Sequence, residues 1–183
     1  MARSKKPSTT GDMVRSLVVI LIPVVLITYF FTRSPDEPAI QAIDFSPALG
    51  RARDQAPYPV FAPAAVPAGW RPTKAVWLKE GDAGLNGTVS PRNQWELGFL
   101  TAENMYIELD QGDLQSQKLV DDRTRGGVAD GQSTIGDQTW ERRISPDERT
   151  RSLVLVSPTV TSIVFGDLPY GELEAFASAL RTS

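Results

Sequence analysis

Trp95-Glu96-Leu97-Gly98-Phe99 and Met105-Tyr106-Ile107-Glu108-Leu109-Asp110 are the two stretches on which the fold turns. In the first, Trp95, Leu97 and Phe99 alternate with Glu96 and Gly98. In the second, Met105, Ile107 and Leu109 alternate with Tyr106, Glu108 and Asp110. Successive side chains of an extended chain point to opposite faces, so a period of two predicts a pair of half-buried strands. Thr101 to Asn104 lies between them and suits a hairpin turn.

Working outward, Trp70 to Lys79 reads as a strand with Trp77 on one face and Val76 and Leu78 on the other. The segment before it, Tyr58 to Trp70, carries Pro59, Pro63 and Pro67 and is expected to be irregular or to lie at an edge. Gly81, Gly84, Asn86 and Gly87 predict a loop. Gly112 to Gly131 is polar and reads as a long excursion with a brief helix or irregular strand. Ile135 to Ile144, Leu153 to Val156 and Val160 to Phe165 read as three more strands. At the end of the chain Leu173, Phe176, Ala177 and Leu180 fall at i, i+3, i+4 and i+7, the stripe of an amphipathic helix. Strands in succession closed by one helix predict an α+β fold, with an antiparallel sheet of about five to seven strands and the C-terminal helix packed on one face.

Near the N-terminus, Leu17 to Phe31 reads LVVILIPVVLITYFF without a charge. At roughly −0.3 to −0.6 kcal/mol per Leu, Ile, Val or Phe, its insertion into a bilayer is favourable by several kcal/mol. A transmembrane helix over 16–32 is predicted, with Pro23 tolerated inside it. A cleaved signal peptide is the rival reading, but TRSPDEPAIQA after the apolar run has two prolines and no good small-residue cleavage site. Arg3, Lys5, Lys6 and Arg15 precede the span, whereas Arg33 is followed by Asp36 and Glu37. The basic tail, 1–15, is therefore expected in the cytoplasm and the rest outside. Pro35, Pro38, Pro47 and Pro57 predict a stalk over 33–57, compatible with a short helix from Pro47 to Asp54, ahead of a domain over 58–183.

Composition excludes more than it suggests. Residues 1–33 carry five basic residues against one acidic, and the remainder 14 basic against 21 acidic, a poor partner for nucleic-acid phosphates. The chain has neither cysteine nor histidine. Disulfides, thiol nucleophiles, the Ser-His-Asp base and the common zinc sites are thereby removed, and no cofactor is expected.

The apolar span, Tyr58-Pro59-Val60, Val66-Pro67-Ala68-Gly69-Trp70, Trp95 to Phe99, Gly136-Asp137-Gln138-Thr139-Trp140 and the final amphipathic helix occur in that order. With its Pro-x-Gly-Trp and Gly-x-x-x-Trp motifs, the chain resembles a membrane-anchored domain-of-unknown-function family of high-GC Gram-positive bacteria. The resemblance implies a cell-envelope location and a single N-terminal span, and carries no activity or catalytic residue.

Candidate sites are few. Trp70, Trp77, Trp95 and Trp140 would suit a groove for a glycan, lipid or peptide, although small α+β cores are commonly filled by such residues. Arg123, Arg125, Arg142, Arg143, Arg149 and Arg151 would suit an anion, but acidic neighbours make surface ion pairs the expected arrangement. Asp110, Asp113, Asp121, Asp122 and Asp130 offer oxygen ligands for calcium without the spacing of a calcium loop, so no metal is expected. The leading expectation is a non-enzymatic envelope protein, in contact with the lipid bilayer through 16–32, whose outer domain docks onto another envelope protein or the cell wall. A small-ligand binding or sensing domain is the alternative, and a carboxylate-dependent hydrolase the third.

Overall fold

The computed structural model describes residues 10–31, 41–84 and 87–182. The chain forms two compact units, residues 1–40 and 41–183.

In the first unit a single helix, α1 (Thr10–Phe31), runs for 22 residues. At 1.5 Å per residue it is about 33 Å long, enough for a hydrocarbon core of roughly 30 Å. It starts six residues ahead of the Ser16 boundary expected from the uncharged run, taking in Asp12 and Arg15. Leu17, Val19, Ile20 and Val25 each expose more than half of their surface. Residues 1–9 of the expected tail, residue 32 at the end of the expected span and 33–40 of the expected stalk lie outside the described residues.

The second unit opens with α2 (Ser46–Gln55) and β1 (Ala62–Pro63), followed by β2 (Arg71–Leu78), β3 (Gln94–Leu100) and β4 (Tyr106–Gly112). Then come α3 (Ser116–Arg123), β5 (Val128–Ile135), β6 (Gln138–Ile144), β7 (Arg151–Val156) and β8 (Thr161–Gly166). The chain closes with α4 (Tyr170–Ala179) and β9 (Leu180–Arg181). Seven strands make one antiparallel sheet in the order β2-β3-β4-β8-β7-β6-β5, and β1 pairs with β9. The expected α+β architecture is thus present, and the two deciding stretches pair as a hairpin with Leu97 opposite Leu109.

One face of the sheet carries the main core. Trp95, Leu97, Phe99, Ile107, Leu109, Trp140, Leu153 and Val164 are buried there, with Leu173, Phe176 and Ala177 of α4 over them. Ala48 and Ala52 of α2 belong to the same cluster, and Phe45 meets Phe99 edge-on at 6.0 Å. The packed unit therefore begins at Gln41, and the stalk expected through residue 57 gives way there to core structure. Prolines flag that segment as extended, yet Pro47 sits in the first turn of α2, where its missing N–H costs nothing. On the other face, α3 lays Leu119 and Val120 over Val154 and Ile163.

Two further differences from the sequence reading concern β5 and β6. Ile135 to Ile144 is not one strand: Gly136 and Asp137 form a two-residue hairpin loop, with Gly136 at φ 57°. Positive φ at the first loop position is the requirement that favours glycine in such turns. β5 itself, VADGQSTI, begins inside the stretch read as an excursion, Gly112 to Gly131, and runs on to Ile135. It is an edge strand with only Ser133 buried, so it shows no apolar alternation. Its register with β6 shifts between Ala129 and Gln132, a bulge containing Gly131 at φ 92°. At the opposite edge, Pro72 of β2 offers no N–H and its carbonyl accepts from the Ile43 backbone.

Candidate functional site

Two arrangements gather reactive groups. The first is an ion network on the α3-bearing face. β3 and β4 pair so that Glu96 stands opposite Asp110 and Gly98 opposite Glu108, and one oxygen from each of the three carboxylates lies within 4.8 Å of the others. Lys74 reaches Glu96 at 2.6 Å and Glu108 at 2.8 Å. Arg123 pairs with Glu96 at 2.5 Å and with Asp110. Gln94 Nε2 donates to Glu96 at 2.8 Å and to both Asp110 oxygens at 3.0 and 3.2 Å, and Tyr106 donates its hydroxyl proton to Glu108 at 2.7 Å.

Electrostatics in this network follow from burial. Removal from water pushes the Asp110 carboxyl up to about 7, against the opposing pull of Arg123. Burial works against the Lys74 ammonium, yet Glu108 and Glu96 outweigh it and hold its pKa above the ordinary value. Arg92, 3% exposed, brings a third positive charge near Asp110. Three carboxylates thus face three cations. Every carboxylate oxygen already accepts from a protein donor, so a cation would have to displace Lys74, Arg123, Gln94 or Tyr106. The residues do not fit a metal site; they tie α3 to the sheet.

The second arrangement involves Trp140. All four tryptophans belong to one core cluster, or pack against it, and they fill it at separate points. Trp95 is fully buried and donates its indole proton to the Phe61 carbonyl at 3.0 Å. Trp77 donates to Gln55 at 3.0 Å and meets Tyr58 edge-on at 6.3 Å. Trp70 stacks on Phe176 with centroids 5.6 Å apart. Trp140 differs. It is 2% exposed, and its Nε1 is buried without a hydrogen-bond partner among the described residues. It also lines a cleft of about 310 Å³, with Phe61, Ile135, Gln138, Leu180 and Arg181 around it. That size is at the lower end for small-molecule sites, which run from about 300 to 1,000 Å³.

Local structure explains the cleft. The Gly136-Asp137 turn sets Gln138 at the start of β6, and the strand's alternation brings Trp140 to the same core-facing side two residues later. Pairing of Ala62 with Arg181 and Pro63 with Leu180 brings the two ends of the domain together as another wall. Phe61, Gln138 and Arg181 escaped the sequence reading. Only Gln138 left a signal, through its place in the Gly-x-x-x-Trp motif.

Among the arginines expected in surface ion pairs, Arg142 and Arg151 meet over the Tyr170 ring, Arg142 at 4.9 Å from its centre, and the others lie apart. Arg142 meets Glu174 at 2.5 Å, Arg143 meets Glu141 at 2.9 Å and Arg149 meets Asp167 at 3.4 Å. Arg151 lies 5.9 Å from the Tyr170 ring centre, Arg125 is exposed, and Arg123 turns inward to the buried network. The aspartates are dispersed. Asp113 accepts from Asn93, Asp121 from Gln117, Asp122 from Lys118 and Asp130 from Tyr170.

Fold and site together define an α+β domain built on a seven-stranded antiparallel sheet, preceded in the chain by one apolar helix long enough to cross a bilayer. The chain belongs to the family described as "Protein of unknown function (DUF4245)", whose model matches residues 5–180. No curated protein matches it. Among solved structures it is similar to a chain in "The complex structure of Pseudomonas aeruginosa MucA/MucB", at 16% identity and a TM-score of 0.35, covering 67% of this chain and 35% of that one. A chain in "Crystal structure of MucB in complex with MucA(peri)" matches at the same identity and TM-score, covering 67% and 37%. This chain therefore spans little more than a third of the solved chains it resembles.

Proposed function

We propose that this protein is a membrane-tethered, extracytoplasmic binding domain of the cell envelope that acts by recognition, with the cleft beside Trp140 as its ligand site. The observation that carries this reading is the cleft lined by Trp140, whose indole N–H is buried behind that wall without a hydrogen-bond partner among the described residues. Leaving a buried donor unpaired costs about 1–3 kcal/mol, and a shift of the indole that brings its N–H to a ligand acceptor would recover it. The length and apolarity of α1 support the tether. The excess of Arg and Lys before the span supports an inside N-terminus and hence a domain outside.

Of the two leading expectations, ligand binding is favoured over docking of the bare sheet, because the main core face is already covered by α2 and α4. Calorimetry on the full chain in nanodiscs, titrated with lipid, glycan and muropeptide fractions of an envelope, tests the proposal. One fraction is expected to bind saturably, and Trp140→Phe to weaken it about tenfold, the value of one good hydrogen bond. Absence of saturable binding, or equal binding by the variant, would sink it.

A further inference from the structure

Beside the Trp140 cleft lies a second, of about 200 Å³, and the two share Phe61 and Gln138 in their walls. We infer that the pair forms one site for a linear monocarboxylate, its head in the Trp140 cleft and its hydrocarbon chain running past Phe61 into the second. The inference rests on the reading of Trp140 given above and adds the ligand class.

The head end is rich in donors. Trp140 Nε1 is buried behind the wall without a partner among the described residues, and the exposed Gln138 side chain lies at the mouth. Arg181 donates through Nη1 to the carbonyls of Ser178 at 2.8 Å and Leu180 at 2.6 Å, which fixes its guanidinium in the wall and leaves Nη2 free. Asp137 adds a single negative charge to the lining, which Arg181 balances. The Gln138 amide and the Arg181 guanidinium suit the two oxygens of a carboxylate, with the Trp140 N–H in reach once the indole shifts, and a guanidinium favours a carboxylate over an uncharged acceptor.

The second cleft offers hydrocarbon. Pro59, Leu155 and Val160 line it, and its inner hydroxyls are already engaged: Ser157 donates to the Val160 carbonyl at 2.8 Å and Ser162 accepts from Gln111 at 3.0 Å. The other two hydroxyls belong to exposed Thr159 and Thr182. A peptide would bring a backbone donor and acceptor at every residue, each needing a partner when buried, whereas an alkyl chain brings none. Short apolar length on one side and an acceptor-seeking pocket on the other therefore describe a fatty-acid-like molecule better than a peptide terminus.

The experiment uses the full chain in nanodiscs of uncharged lipid and decanoate carrying a diazirine at its terminal carbon. After illumination and tryptic digestion, label is expected on the peptide spanning 152–181, which contains Leu155 and Val160. Unlabelled decanoate should compete and its methyl ester should not, while Arg181→Gln should cut labelling about tenfold. Label confined to residues 16–31 would mean simple partitioning into lipid and would overturn the inference. Equal competition by the methyl ester would overturn the carboxylate class but leave the Trp140 site standing. Labelling unchanged by both Trp140→Phe and Arg181→Gln would remove the site as well.

Discussion

Arg123, in the last turn of α3, forms an ion pair with Asp110, a carboxylate on central strand β4 with no exposed side-chain surface. This contact, shared with Glu96, fastens a short polar helix to a sheet face that offers it few apolar anchors beyond Val154 and Ile163. Removing one member of a buried pair strands the other charge, which typically costs about 3–5 kcal/mol. Arg123→Met is therefore expected to lose about 3 kcal/mol of stability at pH 8. Urea denaturation measures this, and a loss within 0.5 kcal/mol would show that α3 holds without the pair.

The pH dependence of the wild type follows from the same carboxylate. Burial raises the folded-state value of Asp110 to about 7, above its unfolded value near 3.9. The folded state thus binds the proton more tightly, and this contribution to stability is fully present below about pH 4 and is lost as pH rises through about 7. Glu174, held below its usual range by its Ser133 and Arg142 contacts, acts in the opposite sense but only near pH 4 and lower. With no histidine in the chain, thermal stability should fall between pH 5.5 and 8, and Asp110→Asn should flatten that slope. An unchanged slope in the variant would assign the titration elsewhere.

Gly166 is fixed by the close approach of β8 to β4. A Cβ there would lie 2.5 Å from the Tyr106 carbonyl oxygen, a backbone atom that moves only with its strand. Gly166→Ala should cost about 1–3 kcal/mol, seen as a lower denaturant midpoint at constant slope.

Where the folded domain begins is open to direct test. Ala52 of α2 is fully buried, so Ala52→Leu should destabilise the chain by about 1–3 kcal/mol. Its exposed neighbour Arg51, changed to Ala, should stay within about 0.5 kcal/mol. Equal, small effects would return α2 to the status of a tether.

Much of this fold was legible because burial wrote itself into period. Trp95, Leu97 and Phe99 announce β3, and Leu173, Phe176 and Ala177 announce α4. The same logic failed where burial had another source. Glu96, Glu108 and Asp110 occupy the polar phase of that alternation and so read as solvent-facing, yet α3 and the cations Lys74 and Arg123 enclose them. β5 failed for the converse reason, since an exposed edge needs no apolar residues. Of the candidate site, Trp140 was visible as a residue type, but its partners Phe61 and Arg181 meet only through β1–β9 pairing, which no local pattern records.

The kink at Ala129 to Gln132 in β5, and Pro72 with its Ile43 contact in β2, mean that neither flank of the sheet presents an unbroken ladder to a newcomer. Molecules confined to a bilayer plane collide far more often than the same number free in solution, and flat edges would then zip together into fibres. On the tether proposed above, copies would crowd side by side as separate units, each with its own cleft left accessible.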